Sequence, residues 1–453
     1  MINVKYIVYT LSLVSFFFCL FQSGYFNYEY LFLLPLSLGI ISIFLFRIYE
    51  LLKNSFVFYI FILQAIIRYC ILPVMIAYNN QVFYGADSLN GNTAIVIMIL
   101  EIVFAFIALN LVASKQKASY LNKTNTITPI KNSFLLYVLI FMALIYIYQS
   151  GYLEKVNFIW NLSNYIQEYV LGVEELSDSG LGGILFNPFK IIVMLLIISW
   201  IIRSKKISNR LKNIFYFILL VVSSLFIVGS SRFSVLFFFL PMFVLILLIT
   251  YQKLSKKLIT LPILGLTLIV ILTSSAKFDR DDNQSFYNIF STSSLNAYFS
   301  GPGNIAVGLD AYEKISIKRN FLFCINDVFQ NAPGLSKYTN DTYKTNQAFN
   351  KQIYGNIGIA DQIVPQSISG IFHFDVIGAF FYVVFFLLIA LYMERKYLKE
   401  QFLGCKYVYV SLSISLSMVF MMNISSMFFA LFSTYLFVYL PFYFIHKFQS
   451  FQK

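Results

Sequence analysis

Apolar runs recur along nearly the whole chain, each close to the twenty or so residues an α-helix needs to cross roughly 30 Å of hydrocarbon. Read between polar breaks, they give twelve candidate spans: 6–21, 30–46, 56–77, 93–113, 134–150, 184–202, 213–229, 232–250, 258–275, 374–393, 407–422 and 428–445. Two runs too long for one helix are divided at Gly229-Ser230-Ser231-Arg232 and at Asn423-Ile424-Ser425-Ser426. The first run follows Lys5 and has the look of a signal peptide. No small-x-small cleavage site follows it and eleven more spans do, so it reads as a retained helix. Of 453 residues, 59% are hydrophobic and only 12% charged, where soluble domains carry about 25% charged. That excludes a soluble globular domain, a disordered chain and a nucleic-acid-binding module, despite a net charge of +13. The fold class is an all-α polytopic membrane protein.

Basic residues supply an independent test of the spans, because Lys and Arg collect in cytoplasmic loops. With both termini inside, the cytoplasmic segments hold 21 of the 33 Lys and Arg. The first three external loops hold only Lys155, against Glu29, Asp87, Glu154, Glu168, Glu174, Glu175 and Asp178. A miscounted helix would invert every later loop, so the even count is supported.

The expected organisation has three parts. Residues 1–275 carry spans one to nine, with an external segment at 151–183. There Val156, Ile159, Trp160, Ile166, Tyr169 and Val170 recur at helical spacing, the pattern of an amphipathic surface helix or a packed loop helix. Residues 276–373 form a large extracytoplasmic cap between spans nine and ten, too rich in Phe and Tyr for disorder. Helical patterns lie around Phe286–Phe299, Asn304–Lys314 and Asn320–Gln330, broken at Gly301-Pro302-Gly303. Residues 374–453 carry the last three spans.

The informative charges are those that break the basic-inside pattern. Arg232 sits in an external turn, Lys277 and Arg280 at the external end of span nine, and Lys318 and Arg319 within the cap. Cations at outer helix ends suit an anionic ligand, and arginine's planar fork suits phosphate. Interfacial snorkelling covers Arg232 equally well, and Asp279, Asp281 and Asp282 offer local pairing to Lys277 and Arg280. Arg68 lies inside span three. At 1.5 Å per residue it sits about 15 Å below the outer end, and Glu101 about 12 Å below the same end of the next span. An intramembrane ion pair is therefore favoured over a substrate contact. His373, at the junction of cap and span ten, has the chemistry of a general base, though an interfacial histidine is the plainer reading. With two histidines and four scattered cysteines, neither a multi-histidine metal centre nor a disulfide framework is supported.

Three short motifs, taken together, resemble the Wzy-type oligosaccharide repeat-unit polymerases of O-antigen and capsule synthesis. They are Gly229-Ser230-Ser231-Arg232 between two apolar helices, Tyr298-Phe299-Ser300-Gly301-Pro302 in the large external loop, and His373-Phe374-Asp375-Val376-Ile377-Gly378 opening the next span. The resemblance carries Arg232, Tyr298, Gly301, Pro302, Asp375 and Gly378 into the site; His373 is not clearly part of the pattern. It implies a GT-C-like multi-span glycosyltransferase fold in the bacterial cytoplasmic membrane, working at the outer leaflet. The implied substrate is a polyprenyl-pyrophosphate-linked oligosaccharide, whose growing glycan moves to the end sugar of another lipid-linked repeat. Membrane lipid is the surroundings, and the pathway's flippase and chain-length regulator are implied partners. No nucleotide, metal or other cofactor is needed, and no nucleic acid. The outer cations, Arg232 with Lys277, Arg280, Arg319 and Arg68, would stabilise the leaving pyrophosphate. His373, Asp279, Asp310, Asp361 and Asp375 are the candidates to deprotonate the acceptor. An O-antigen ligase and a lipid-linked oligosaccharide flippase are the alternatives.

Overall fold

The computed structural model describes residues 4–22, 27–79, 82, 88–121, 127–131, 133–150, 156–158, 180–224, 226–228, 232–250, 291–315, 320–332, 334–355 and 363–451. In chain order the main helices are α1 (Val4–Phe21), α2 (Leu33–Phe44), α3 (Phe56–Asn79), α4 (Gly91–Leu121), α5 (Phe134–Gln149), α6 (Gly180–Arg203), α7 (Asn209–Ser224) and α8 (Arg232–Thr250). They continue with α9 (Thr292–Tyr298), α10 (Pro302–Lys314), α11 (Phe321–Phe329), α12 (Thr345–Tyr354), α13 (Gln366–Phe374), α14 (Gly378–Lys399), α15 (Leu403–Ser417) and α16 (Ile424–Lys447). A helix stands at eleven of the twelve expected spans, and the ninth, 258–275, lies outside the described residues. Among them α1, α3, α4, most of α6, the α13–α14 stretch and α16 are long and apolar enough to cross a membrane. By the length and composition of its helices the chain is an all-α, multi-pass membrane protein.

Two local expectations are corrected. Val156–Phe158, expected at the start of an amphipathic helix, is a strand, and Phe226–Val228, expected to finish span seven, is its antiparallel partner. Valine, isoleucine and phenylalanine favour extended backbone, and pairing supplies the amides that a helix ended at Ser224 no longer does. The rest of 151–179 lies outside the described residues.

Helix α3 contains one wide π turn, Ile67–Ile71, and α16 contains another, Tyr435–Tyr439. Each ends two residues before a proline, Pro73 and Pro441. Proline donates no hydrogen bond and its ring crowds the carbonyl four residues back. An extra residue in the preceding turn moves that carbonyl aside. Pro188 and Pro241 lie inside α6 and α8 without such a turn, so proline alone does not force it.

The chain divides into two compact units: Met1–Asn122, Asn288–Arg395 and Ser415–Ala430 form the first, and Lys123–Tyr287, Lys396–Ile414 and Leu431–Lys453 the second. They cut across the three segments read from the sequence. The described part of 276–373 belongs to the first unit, where α10 packs on α4, α12 and α13. Its turns carry their own caps: Ser291 for α9, Asn320 for α11, Pro302 at the first turn of α10 and Gly355, at φ 66°, ending α12. Gly370 of α13 and Gly378 of α14 cross so closely that a Cβ on either would lie within 2 Å of the other's carbonyl oxygen. In the second unit Thr128 bridges to Gln401 and Leu403 through backbone hydrogen bonds, and Gly404 admits the ring of Phe442. The apolar side chains of α5, among them Phe134, Phe141, Met142 and Tyr148, point outward. Outward apolar and inward polar residues are what a lipid-facing surface requires.

Candidate functional site

The first unit buries three polar centres. The first is the Arg68–Glu101 pair foreseen from the helix rise: Nη2 and Oε2 are 2.7 Å apart, and both side chains are essentially inaccessible. The π turn holds Arg68, whose Nε donates to the carbonyl of Ser300 at 2.9 Å and whose guanidinium lies 4.2 Å from the centre of the Phe420 ring. Its Nη1 meets no acceptor, and the Nη2–Oε2 approach, though short, lacks hydrogen-bond alignment. The pair is electrostatic rather than a bidentate fork.

Ser300 belongs to the motif Tyr298–Pro302, and the structure explains that motif locally. Ser300 has φ 49° and is buried, a conformation that costs a non-glycine residue energy. It aims its carbonyl at Arg68. Asn296 receives the Gly303 amide at 3.0 Å and donates to the Val82 carbonyl at 2.6 Å. Gly301 is required by space: a Cβ there would stand 2.3 Å from Asn296 Oδ1 and from Leu72 Cδ2. Pro302 then starts α10. Gly301 and Pro302 are buried and Tyr298 is half-buried, so the first two shape a turn and do not offer a surface to a ligand.

The second centre surrounds His373, which is 3% exposed. Its Nε2 lies 2.9 Å from Asp327 Oδ2 and its Nδ1 2.8 Å from the Tyr382 hydroxyl. That hydroxyl is in turn 3.3 Å from Cys324 Sγ. Asp327 also accepts the Thr345 amide at 2.9 Å, which fixes the carboxylate. An ionised Asp327 can only accept, so Nε2 carries the proton and Nδ1 takes the one from Tyr382 when the ring is neutral. Both ring nitrogens are covered. A direct contact between His373 and an acceptor sugar is therefore corrected: any proton reaches the ring through Tyr382. Burial alone would raise the Cys324 thiol, but hydrogen bonds to His373 and Tyr382 and the field of the imidazole outweigh it, and the thiol lies below its ordinary range. Phe372, Phe323, Tyr312 and Tyr343 pack around this cluster edge to face or tilted.

Asp375 follows at φ 62°, ψ −156°, a region occupied almost only by glycine. It is half-buried; the partner of His373 is Asp327, not Asp375. Among the described residues three non-glycines have positive φ: Asn27, Ser300 and Asp375. Asparagine tolerates it; the other two fall in the two cap-side motifs.

The third centre is Glu394, fully buried, whose oxygens accept from Ser55 Oγ at 2.5 Å, the amides of Phe56 and Val57 at 2.9 and 3.4 Å, Tyr120 at 2.8 Å, and Gln116. These donors include the first amides of α3, an anion-binding helix start. Nearby polar side chains serve backbone instead. Gln64 donates to Ser417 O and accepts from the Phe420 amide, and Gln366 donates to Met422 O, closing the non-helical break between α15 and α16. These donors and acceptors pair backbone groups that the interrupted helix leaves without partners.

Arg232 opens α8 in the second unit, and its side chain lies outside the described residues, as do Lys277, Arg280 and Arg319. Of the candidate bases, Asp310 is engaged by Ser88 at 2.8 Å and Asn90 at 2.9 Å, while Asp279 and Asp361 lie outside the described residues. Among the described residues no group of three His, Cys, Asp or Glu side chains is placed to hold a metal ion. Sequence reasoning missed Cys324, Asp327 and Tyr382. The spacing of Cys324 and Asp327, one turn apart on α11, was the only signal. Compared with protein-family models, curated proteins and solved structures, the chain matches none.

Proposed function

We propose that the chain is a glycosyltransferase of the bacterial cytoplasmic membrane that polymerises polyprenyl-pyrophosphate-linked oligosaccharide repeats at the outer face. One observation carries the reading: the motifs Tyr298–Pro302 and His373–Gly378 each contain a strained non-glycine residue, Ser300 and Asp375, next to a buried ionisable pair. Strain of this kind collects where geometry is fixed for function.

In the proposed reaction the acceptor hydroxyl oxygen attacks the anomeric carbon of the donor. The bond to pyrophosphate breaks and polyprenyl pyrophosphate leaves with the electron pair. Arg232 and the outer cations Lys277, Arg280 and Arg319 offset the charge that develops on the leaving group. The acceptor's proton enters at Cys324, the accessible end of the hydrogen-bonded chain, and is handed on through the Tyr382 hydroxyl to His373, where Asp327 stabilises the imidazolium. Asp375, strained at the turn before α14, is the second candidate base for that proton.

The test is a glycan gel after incubating purified protein, in detergent, with lipid-linked repeat units alone. A ladder in multiples of one repeat, lost in Arg232→Ala and His373→Asn, supports the polymerase. Transfer only to a different, non-repeat acceptor would make the protein a ligase, and unreacted repeats with working translocation would make it a flippase.

A further inference from the structure

His373 and the three side chains linked to it form an ordered chain with one accessible end. Asp327, His373 and Tyr382 are buried, whereas Cys324 is half-buried and keeps part of its surface accessible. In one arrangement the thiol donates to the Tyr382 oxygen, Tyr382 donates to Nδ1, and Nε2–H donates to Asp327. Moving two protons along the same contacts, Sγ to the tyrosine oxygen and the tyrosine proton to Nδ1, gives a thiolate and an imidazolium. Tyr382 ends neutral and Asp327 holds the new positive charge. No heavy atom need move to make the switch, because the contacts of 3.3, 2.8 and 2.9 Å already connect the ends.

We propose that Cys324 is a reactive thiol, activated through Tyr382 by the His373–Asp327 pair, and that it exchanges with small uncharged disulfides. In that exchange the Cys324 thiolate attacks one sulfur of the reagent. A mixed disulfide forms, the reagent's S–S bond breaks, and its other half leaves as a thiolate that takes a proton from water or from the relay. The surroundings select the reagent. Around Cys324 the exposed face of α11 is Phe321, Leu322 and Ile325, and Phe374, Val376, Ile377 and Phe381 are exposed on the neighbouring stretch. Phe321 and Phe374 approach ring to ring at 6.5 Å. An apolar disulfide reaches a thiol in this setting, and a multiply charged one is held back by the cost of desolvation.

The groups facing Cys324 are few. From α13 and α14 come His373 and Tyr382, and from its own helix Asp327. On the 3-10 turn that packs on α11, Asp341 is paired with Lys344 at 2.6 Å, and Tyr343 meets Phe323. Lys351 of α12 is exposed. Cys19, Cys70 and Cys405 are buried, so they do not compete for the reagent. The proposal does not rest on the transferase reading, since its readout is covalent labelling.

The experiment measures the rate at which full-length protein in detergent releases thiopyridone from dithiodipyridine, with peptide mapping of the modified cysteine. For an ordinary thiol the rate falls by about two orders of magnitude between about pH 8 and pH 6, as thiolate is lost. Wild-type protein is expected to fall by no more than about threefold over that range. Cys324→Ser should abolish the label. Tyr382→Phe, which keeps the ring and removes the bridge, should steepen the profile towards the ordinary one, with the direct influence of His373 on the thiol remaining. Oxidised glutathione should react at least about tenfold more slowly than the uncharged reagent. An ordinary profile in the wild type, a label on another cysteine, or an unchanged profile in Tyr382→Phe would each overturn the assignment.

Discussion

Glu394 and Glu101 are both carboxylates with almost no exposure in the same unit, yet their surroundings differ in kind. Glu394 has no cation paired with it among the described residues and is held by five hydrogen-bond donors, two of them the first amides of α3. Glu101 has a full counter-charge 2.7 Å away, but the guanidinium leaves Nη1 without an acceptor, and Ser367 Oγ close by has no partner within hydrogen-bond geometry. One charge is stabilised by fixed dipoles, the other by an opposite charge in an incomplete polar network. Dipoles that belong to a helix start and to packed side chains serve a joint between helices. An incompletely satisfied ion pair beside a strained turn is the arrangement to suspect of a second task.

The largest effect should come from emptying the better-filled site. Glu394→Ala leaves Ser55, Gln116, Tyr120 and two α3 amides without their acceptor. Each orphaned buried donor costs about 1–3 kcal/mol, so the variant should fail to fold, read as loss of the monodisperse peak in detergent. Glu394→Gln, which keeps one carbonyl oxygen, should fold with a lowered melting temperature. Equal stability of Glu394→Ala and wild type would show the five contacts to be dispensable.

Breaking the other pair separates structure from function. Glu101→Gln or Arg68→Met alone leaves a buried partner uncompensated and should cost about 3–5 kcal/mol. The double change Arg68→Met with Glu101→Leu removes both charges and should recover much of that loss, because an apolar replacement avoids the desolvation of two ions. If the pair were structural only, the recovered double variant would keep whatever activity the wild type has. The expected outcome is a stable and inactive double variant, measured as melting temperature against glycan ladder.

A crowded crossing gives the next effect. At Gly370 and Gly378 any Cβ must push two helices apart, so Gly378→Ala should lower stability by about 1–3 kcal/mol. Gly334, at φ 77° in open space, should tolerate alanine at the smaller cost of backbone strain alone.

How far these centres were legible in the sequence follows from the range of their contacts. The apolar helices were readable from the length of their runs, and the Arg68–Glu101 pair because helix rise converts sequence position into height along two neighbouring helices. Tyr298–Pro302 was readable as a turn from Gly301 and Pro302. The relay was not, since His373 joins Asp327 across 46 residues and Tyr382 joins Cys324 across 58, and neither distance leaves a periodic trace. Glu394 was hidden among Arg395 and Lys396, where it reads as a charge at a cytoplasmic helix end. The strands Val156–Phe158 and Phe226–Val228, three residues each, are too short to show alternation against the helical spacing around them.

The smallest effect runs in the opposite direction. Asp375 holds φ 62°, ψ −156°, which glycine adopts freely and aspartate only at a cost of about 1–3 kcal/mol. Asp375→Gly releases that strain but gives up the side chain's own interactions and adds freedom to the unfolded chain, about 1 kcal/mol against it. The net change should therefore be small and stabilising, a rise of a few degrees or less in melting temperature. Activity is the discriminating readout. If the aspartate side chain works in the transfer reaction, the slightly more stable variant makes no ladder. A stable variant with a full ladder would reduce Asp375 to a turn residue and leave the His373 relay to carry the proton alone.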